Sequence, residues 1–203
     1  MKKKSVALLL ALVLVFGMTV GGTIAWLMDS TAPVVNTFTV GDIEITLTEE
    51  AGTIVDGKHQ FKVTPGVDFA KDPKVTVLKD SEKCWLFVTV EESANWNSNM
   101  TYGIAAGWTE LEDGVYYRIV DPTTKDEPFY VLAGDDTYPN GRIVVSGNLS
   151  SDEMEAMETS QPTLTFKAYA IQYESFEPTA ETPEAIKTAA AAAWAQAKNA
   201  PAP

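Results

Sequence analysis

The stretch Asp42-Ile43-Glu44-Ile45-Thr46-Leu47-Thr48 alternates polar and apolar side chains without a break. In an extended backbone successive side chains leave on opposite faces, so Ile43, Ile45 and Leu47 are expected to face a core while Asp42, Glu44, Thr46 and Thr48 face water. Upstream, Phe38 and Val40 hold the opposite phase. The phase changes at Gly41, where an extra residue in the ladder, a β-bulge, restores the inward direction.

The same period of two recurs at His59 to Thr64, Asp72 to Lys79, Lys83 to Glu92, Gly114 to Val120, Pro128 to Ala133, Gly141 to Ser146 and Pro162 to Phe176. Turn chemistry separates these runs at Pro65-Gly66, Asp56-Gly57, Asp113-Gly114 and Pro139-Asn140-Gly141. About eight strands at this spacing predict a mainly β fold, an antiparallel two-sheet sandwich of jelly-roll type over residues 38–176. Two helices interrupt it. Ser150-Ser151-Asp152-Glu153 reads as a capping box ahead of Met154 and Met157, starting a short crossover helix. The other is an Ala-rich C-terminal helix from about Pro183 to Lys198, with Thr182 as N-cap. Its apolar stripe, Ile186, Ala190, Ala193, Trp194 and Ala197, is thin, and isolated helices of this length are marginal in water. Residues 177–203 are therefore expected to form a linker and a helical tail that either docks through Trp194 or stays loose, the loose tail being the preferred reading.

The N-terminus carries Lys2, Lys3 and Lys4, then an uncharged run from Ser5 through Met28, then the small-residue pattern Thr23-Ile24-Ala25. That is a signal peptide's layout over residues 1–25, with Thr23, Ala25 and Trp26 around the cut; the run is also long enough to be a permanent anchor. Gly17, Gly21 and Gly22 favour cleavage, because they weaken the helix just before the residues that a peptidase binds in extended form. Removal takes three of the 15 basic side chains and no acid, leaving 12 against 28 and a formal charge of −16. Such a charge disfavours phosphate backbones, so nucleic acid is set aside as a partner, and membrane contact is expected only through an uncleaved signal.

Catalytic residue types are sparse. His59 is the only histidine, so the His-Glu-x-x-His zinc motif does not occur, and any Ser or Cys triad has to use a histidine in a predicted strand. Cys84, the only cysteine, is in phase with Leu86, Val88 and Val90, which predicts a buried, inert thiol. The acid pairs Glu49-Glu50, Glu91-Glu92 and Asp135-Asp136 read as a solvated face, with a glycosidase-like pair or a calcium site as the sharper alternatives. Trp85, Trp96, Tyr102, Trp108, Tyr116, Tyr117, Phe129, Tyr130 and Tyr138 crowd the centre, where core packing accounts for most and a sugar platform is the rival reading. No enzymatic activity, cofactor or metal is expected.

Three stretches resemble the TasA and camelysin family: Gly21-Gly22-Thr23-Ile24-Ala25 with Asn36-Thr37-Phe38-Thr39-Val40-Gly41-Asp42-Ile43; Val63-Thr64-Pro65-Gly66-Val67-Asp68 followed by Cys84 to Val90; and Leu164-Thr165-Phe166-Lys167-Ala168-Tyr169-Ala170-Ile171-Gln172-Tyr173. The middle, Asn95 to Met157, and the Ala-rich tail match nothing in that family. The resemblance implies export through a dedicated SipW-type signal peptidase and a jelly-roll subunit of bacterial biofilm matrix fibres, secreted to the cell surface. In such fibres each subunit donates its N-terminal segment to the next copy, with minor anchoring subunits as further partners. Residues 26–37 are then the donor arm, bearing Trp26, Leu27, Met28, Val34 and Val35, and Pro33 keeps it from continuing a helix. The rival readings are a camelysin-like secreted metalloprotease, whose metal ligands are not visible here, and a monomeric surface-binding module.

Cleavage after Ala25 should give a mature chain of 203 − 25 = 178 residues beginning Trp26-Leu27-Met28. N-terminal sequencing of exported protein checks this, and an intact N-terminus held in the membrane fraction would make Ser5 to Met28 an anchor.

Overall fold

The computed structural model describes residues 42–55, 57–121 and 124–199. The signal, the arm and the bulge expected at Gly41 lie outside the described residues. Within them the chain is mainly β, with two helices, and every strand pairing is antiparallel. The strands are β1 (Ile45–Thr48), β2 (Thr53–Val55), β3 (Lys58–Gln60), β4 (Phe69–Ala70), β5 (Lys74–Val77), β6 (Cys84–Glu92), β7 (Met100–Thr101), β8 (Thr109–Glu112), β9 (Val115–Val120), β10 (Glu127–Tyr130), β11 (Arg142–Val145) and β12 (Leu164–Gln172). They form sheets ordered β12-β6-β9-β8, β1-β5-β10 and β4-β11-β7, with β2-β3 as a separate hairpin. The run His59 to Thr64 is strand only as far as Gln60, and four strands of two to four residues, β2, β4, β7 and β8, are too short for a period of two to announce.

Strand β6 explains most of the packing. Its first seven residues, Cys84 to Val90, are all buried, so both of its faces are covered. Cys84, Leu86, Val88 and Val90 join one apolar core with Val75 and Val77 of β5, Ile143 and Val145 of β11, and Val131 and Leu132. Trp85 and Phe87, on the opposite face, join a second core with Leu111, Val115 and Tyr117. The turn Asp113-Gly114 returns β8 onto β9, and Gly114 has φ +68° with its carbonyl accepting from Val90 N–H at 2.8 Å. A Cβ at Gly114 would stand 2.8 Å from the Val90 carbonyl oxygen, so only glycine closes this turn beside β6.

The second core has its cover in the C-terminal helix, which is docked, contrary to the expectation of a loose tail. Helix α2 (Pro183–Ala197) starts at Thr182, whose hydroxyl accepts from Ala185 N–H, and buries Ala190, Ala193, Trp194 and Ala197. Trp194 lies against Phe87 at 5.4 Å and edge-on to Tyr169 at 5.1 Å, and its Nε1 donates to Glu112 Oε1 at 2.7 Å. The small alanines let the helix approach the sheet closely, so one large side chain can fill the space between Phe87 and Tyr169. Burying a tryptophan's roughly 200 Å² contributes up to about 5 kcal/mol, enough to hold a helix that is marginal alone.

The earlier helix α1 (Ser151–Thr159) has the expected capping box, with Ser150 N–H and Oγ–H both donating to Glu153 Oε2 and Glu153 N–H donating back to Ser150 Oγ. Asn97 and Asn99 donate to the other oxygen of Glu153, tying α1 to the loop before β7. The Ser150 bonds, reinforced by Asn97 and Asn99, pull the Glu153 carboxyl down to about 2.

Leu47 departs from expectation. Ile43 and Ile45 pack half-buried against the first core, but Leu47 is 38% exposed. It pairs with Val75, a core residue, so it points inward. It is exposed because β1 is an edge strand with β5 on one side and no paired strand on the other among the described residues.

A candidate assembly edge along β12

The four-stranded sheet ends on β12, a nine-residue strand whose one strand partner among the described residues is β6. Two loop bonds fix which groups face outward. Ser93 N–H donates to the Thr163 carbonyl, and Tyr173 N–H to that of Lys83, so odd-numbered residues of β12 exchange bonds with β6. The N–H and C=O groups of Leu164, Phe166, Ala168 and Ala170 therefore project from the free edge, and no bond to them is made among the described residues. From Leu164 to Ala170, at about 3.3 Å per residue, this edge runs for roughly 23 Å. Among the described residues the other unpaired edges belong to β1, β2, β3, β4, β7, β8 and β10, each of four residues or fewer, the length at which natural edges are blunted.

The same four residues put their side chains on the inward face, opposite Glu92, Val90, Val88 and Leu86, and all four pack half-buried against the first core. Across from them stand Ile43, Ile45 and the exposed Leu47 of β1, whose backbone comes within 8 Å of β12 without bonding to it. The core is thus sealed under β5 and β6, where Val75, Val77, Leu86 and Val88 are 0% exposed, and incompletely covered between β1 and β12. Lys71 closes one end of this opening. Its ammonium pairs with Glu49 at 2.8 Å and lies 4.5 Å over the Phe61 ring and 5.3 Å from that of Phe166. A strand laid between β1 and β12 needs about 4.8 Å on each side, so β1 has to move outward to admit one.

The residues read from the sequence as signal and arm, Thr23, Ala25, Trp26, Leu27, Met28, Val34 and Val35, lie outside the described residues. His59 sits half-buried on β3, its Nδ1–H donating to the Ala51 carbonyl at 2.7 Å. The acid pairs are divided among separate partners: Glu49 holds Lys71, Glu50 Lys74, Glu91 Lys167, Glu92 the Tyr102 hydroxyl, and Asp135 Arg142. No group of three His, Cys, Asp or Glu side chains able to hold a metal ion occurs among the described residues, nor a helix long and apolar enough to cross a membrane. The aromatics divide between the cores: Trp85 and Tyr117 in the second, Trp108 in the first, with Trp96, Tyr102, Tyr116 and Phe129 packed against the first. Cys84 is free and buried, and burial, with the negative charge of Glu174 adding, pushes its thiol up to about 12, leaving almost no thiolate at neutral pH.

Sequence reading found β12 but not its exposed edge, because an edge is a property of strand order rather than of the strand. No family model matches the chain, and neither a curated protein nor a solved structure does.

The two kinds of position along β12 separate under proline substitution. Lys167→Pro removes an N–H bonded to β6 and should cost roughly 2–4 kcal/mol, although its side chain is exposed. Ala168→Pro removes an N–H from the free edge and should cost about 1 kcal/mol or less. Thermal melts of the two variants check the assignment; equal losses would mean that β12 is paired on both edges.

Proposed function

We propose that the chain is a non-enzymatic, exported structural subunit of bacterial extracellular matrix fibres, built as a two-sheet jelly-roll sandwich that polymerises by strand donation. The apolar segment Trp26 to Val35 of one copy lies along β12 of the next, pairs with the outward N–H and C=O groups of Leu164, Phe166, Ala168 and Ala170, and covers the core between β1 and β12. The observation that carries this reading is the free edge of β12 with its four half-covered inward side chains. Edge pairing supplies backbone bonds and apolar burial together, which is the chemistry of β-strand addition. Burying Trp26, Leu27, Met28, Val34 and Val35 at about 1.5–3 kcal/mol each contributes on the order of 6–15 kcal/mol if four or five are covered, before the cost of association. The family resemblance of the N-terminal segment and of Leu164 to Tyr173 points the same way.

Charge sets the conditions. The chain carries a formal −13, so copies repel, while the arm from Trp26 to Val35 contains one acid, Asp29. Assembly should become easier as salt screens the bodies.

Deleting Trp26 to Val35 should abolish filaments seen by electron microscopy and leave a folded monomer. A synthetic peptide of the arm should then raise that monomer's melting temperature by mass action, and a scrambled peptide should not, because a strand donor has to alternate in step with the inward positions. Filaments from the truncated chain, or equal stabilisation by both peptides, would overturn strand donation. A wild-type chain that stays monomeric while its own arm protects β12 would establish the fold-back module instead.

A further inference from the structure

Arg118 of β9 stands directly across from Leu86, on the inward face of the four-stranded sheet. A guanidinium drawn out of water is normally compensated by hydrogen-bonded carboxylates. Arg142, the other arginine, has this compensation, its Nη1 lying 2.7 Å from both Asp68 and Asp135. Arg118 has none among the described residues: its Nε is buried without a hydrogen-bond partner, and no carboxylate is within ion-pair distance. With 28 acidic side chains in the sequence, this is not for want of carboxylates. Burial pulls the guanidinium's pKa down, and Glu127 opposes that only from a distance.

The group is nonetheless held firmly. Its Cζ lies 3.8 Å from the Phe129 ring centroid and 5.3 Å from that of Trp108, whose Nε1–H donates to the Tyr130 carbonyl at 2.9 Å. Gly107, at φ +89°, passes so near that a Cβ there would stand 3.0 Å from Nη2. Arg118 and Phe129 line an open cavity of about 570 Å³, whose other walls include Ala105, Pro128, Tyr130, Leu132 and Pro139. This size is usual for a small-molecule site, and its walls mix apolar side chains with polar surface, the Arg118 guanidinium among it.

We propose that this cavity binds a small organic monocarboxylate, its two oxygens taken by the fork of Arg118 and its apolar body seated against Pro128 and Tyr130. A planar fork matches a carboxylate in shape, and apolar surroundings strengthen the pair. One cation in a strongly acidic chain favours a single negative charge; phosphate would require a second cation that the walls do not provide.

The test is a titration of the full ¹⁵N-labelled chain with phenylacetate and, separately, with its neutral amide phenylacetamide, read at the Trp108 indole N–H beside the guanidinium. Phenylacetate should give a saturable shift, and phenylacetamide should bind at least about tenfold more weakly. Arg118→Met should lose phenylacetate binding while melting no lower than wild type, since it replaces an uncompensated charge with apolar atoms. If that variant fails to fold, Arg118→Lys keeps the charge without the fork and should weaken phenylacetate at least about fivefold while leaving phenylacetamide unchanged. The absence of a saturable shift below about 10 mM phenylacetate, equal affinity for acid and amide, or unchanged binding in a folded variant would each overturn the proposal.

Discussion

A strand that is apolar on both faces needs a cover on each, and β6 imposes that requirement on the whole fold. Cys84, Leu86, Val88 and Val90 require a second layer of sheet, which β5 and β11 provide. Trp85 and Phe87 require another on the far side, and a sheet already paired at β9 and β12 has no strand left to give. Helix α2 fills that role, so a segment with little tendency to stand alone becomes part of the core. Its docking also covers Tyr169 and Ile171 on the outer face of β12, where Thr165 and Lys167 stay exposed, while the inner row, Leu164 to Ala170, is apolar and only half-buried.

That asymmetry makes β12 an unusual edge. Long free edges are hazards that proteins normally blunt with short strands, inward charges or prolines. Here the other edges are short, and Lys71 with its Glu49 partner stands at one end of the gap, but the nine-residue edge keeps four consecutive inward positions apolar. An edge left in that state is open to pairing with a further strand, and like charge on the copies opposes such pairing. The chain's formal −13 is a charge of that kind, and the N-terminal segment is the strand proposed above.

Much of this was legible in the sequence where a local pattern matched a local structure. The alternation in Cys84 to Val90, the Asp113-Gly114 turn and the Ser150–Glu153 capping box all describe contacts between near neighbours, and each has a counterpart in the structure. What escaped depends on partners distant in the chain. Leu47 alternates correctly and points inward, yet stays partly exposed because of where β1 falls in its sheet. Docking of α2 was signalled by Trp85 and Phe87 on the outer face of β6 together with a helix stripe of alanines and one tryptophan, but neither is informative until the two are brought together. Nothing in the sequence singles out Arg118, and only its register against Leu86 places it on the inward face.

If β12 receives a strand from another copy, amide hydrogen exchange along β12 has to change when copies assemble. In the unassembled chain the amides of Thr165, Lys167, Tyr169 and Ile171, bonded to β6, should be protected, while those of Leu164, Phe166, Ala168 and Ala170 exchange freely. In filaments both sets should be protected, giving an alternating pattern before assembly and a continuous one after it. If the second set exchanges as fast in filaments as in the monomer, the fibres are built on some other surface and strand donation to β12 is wrong.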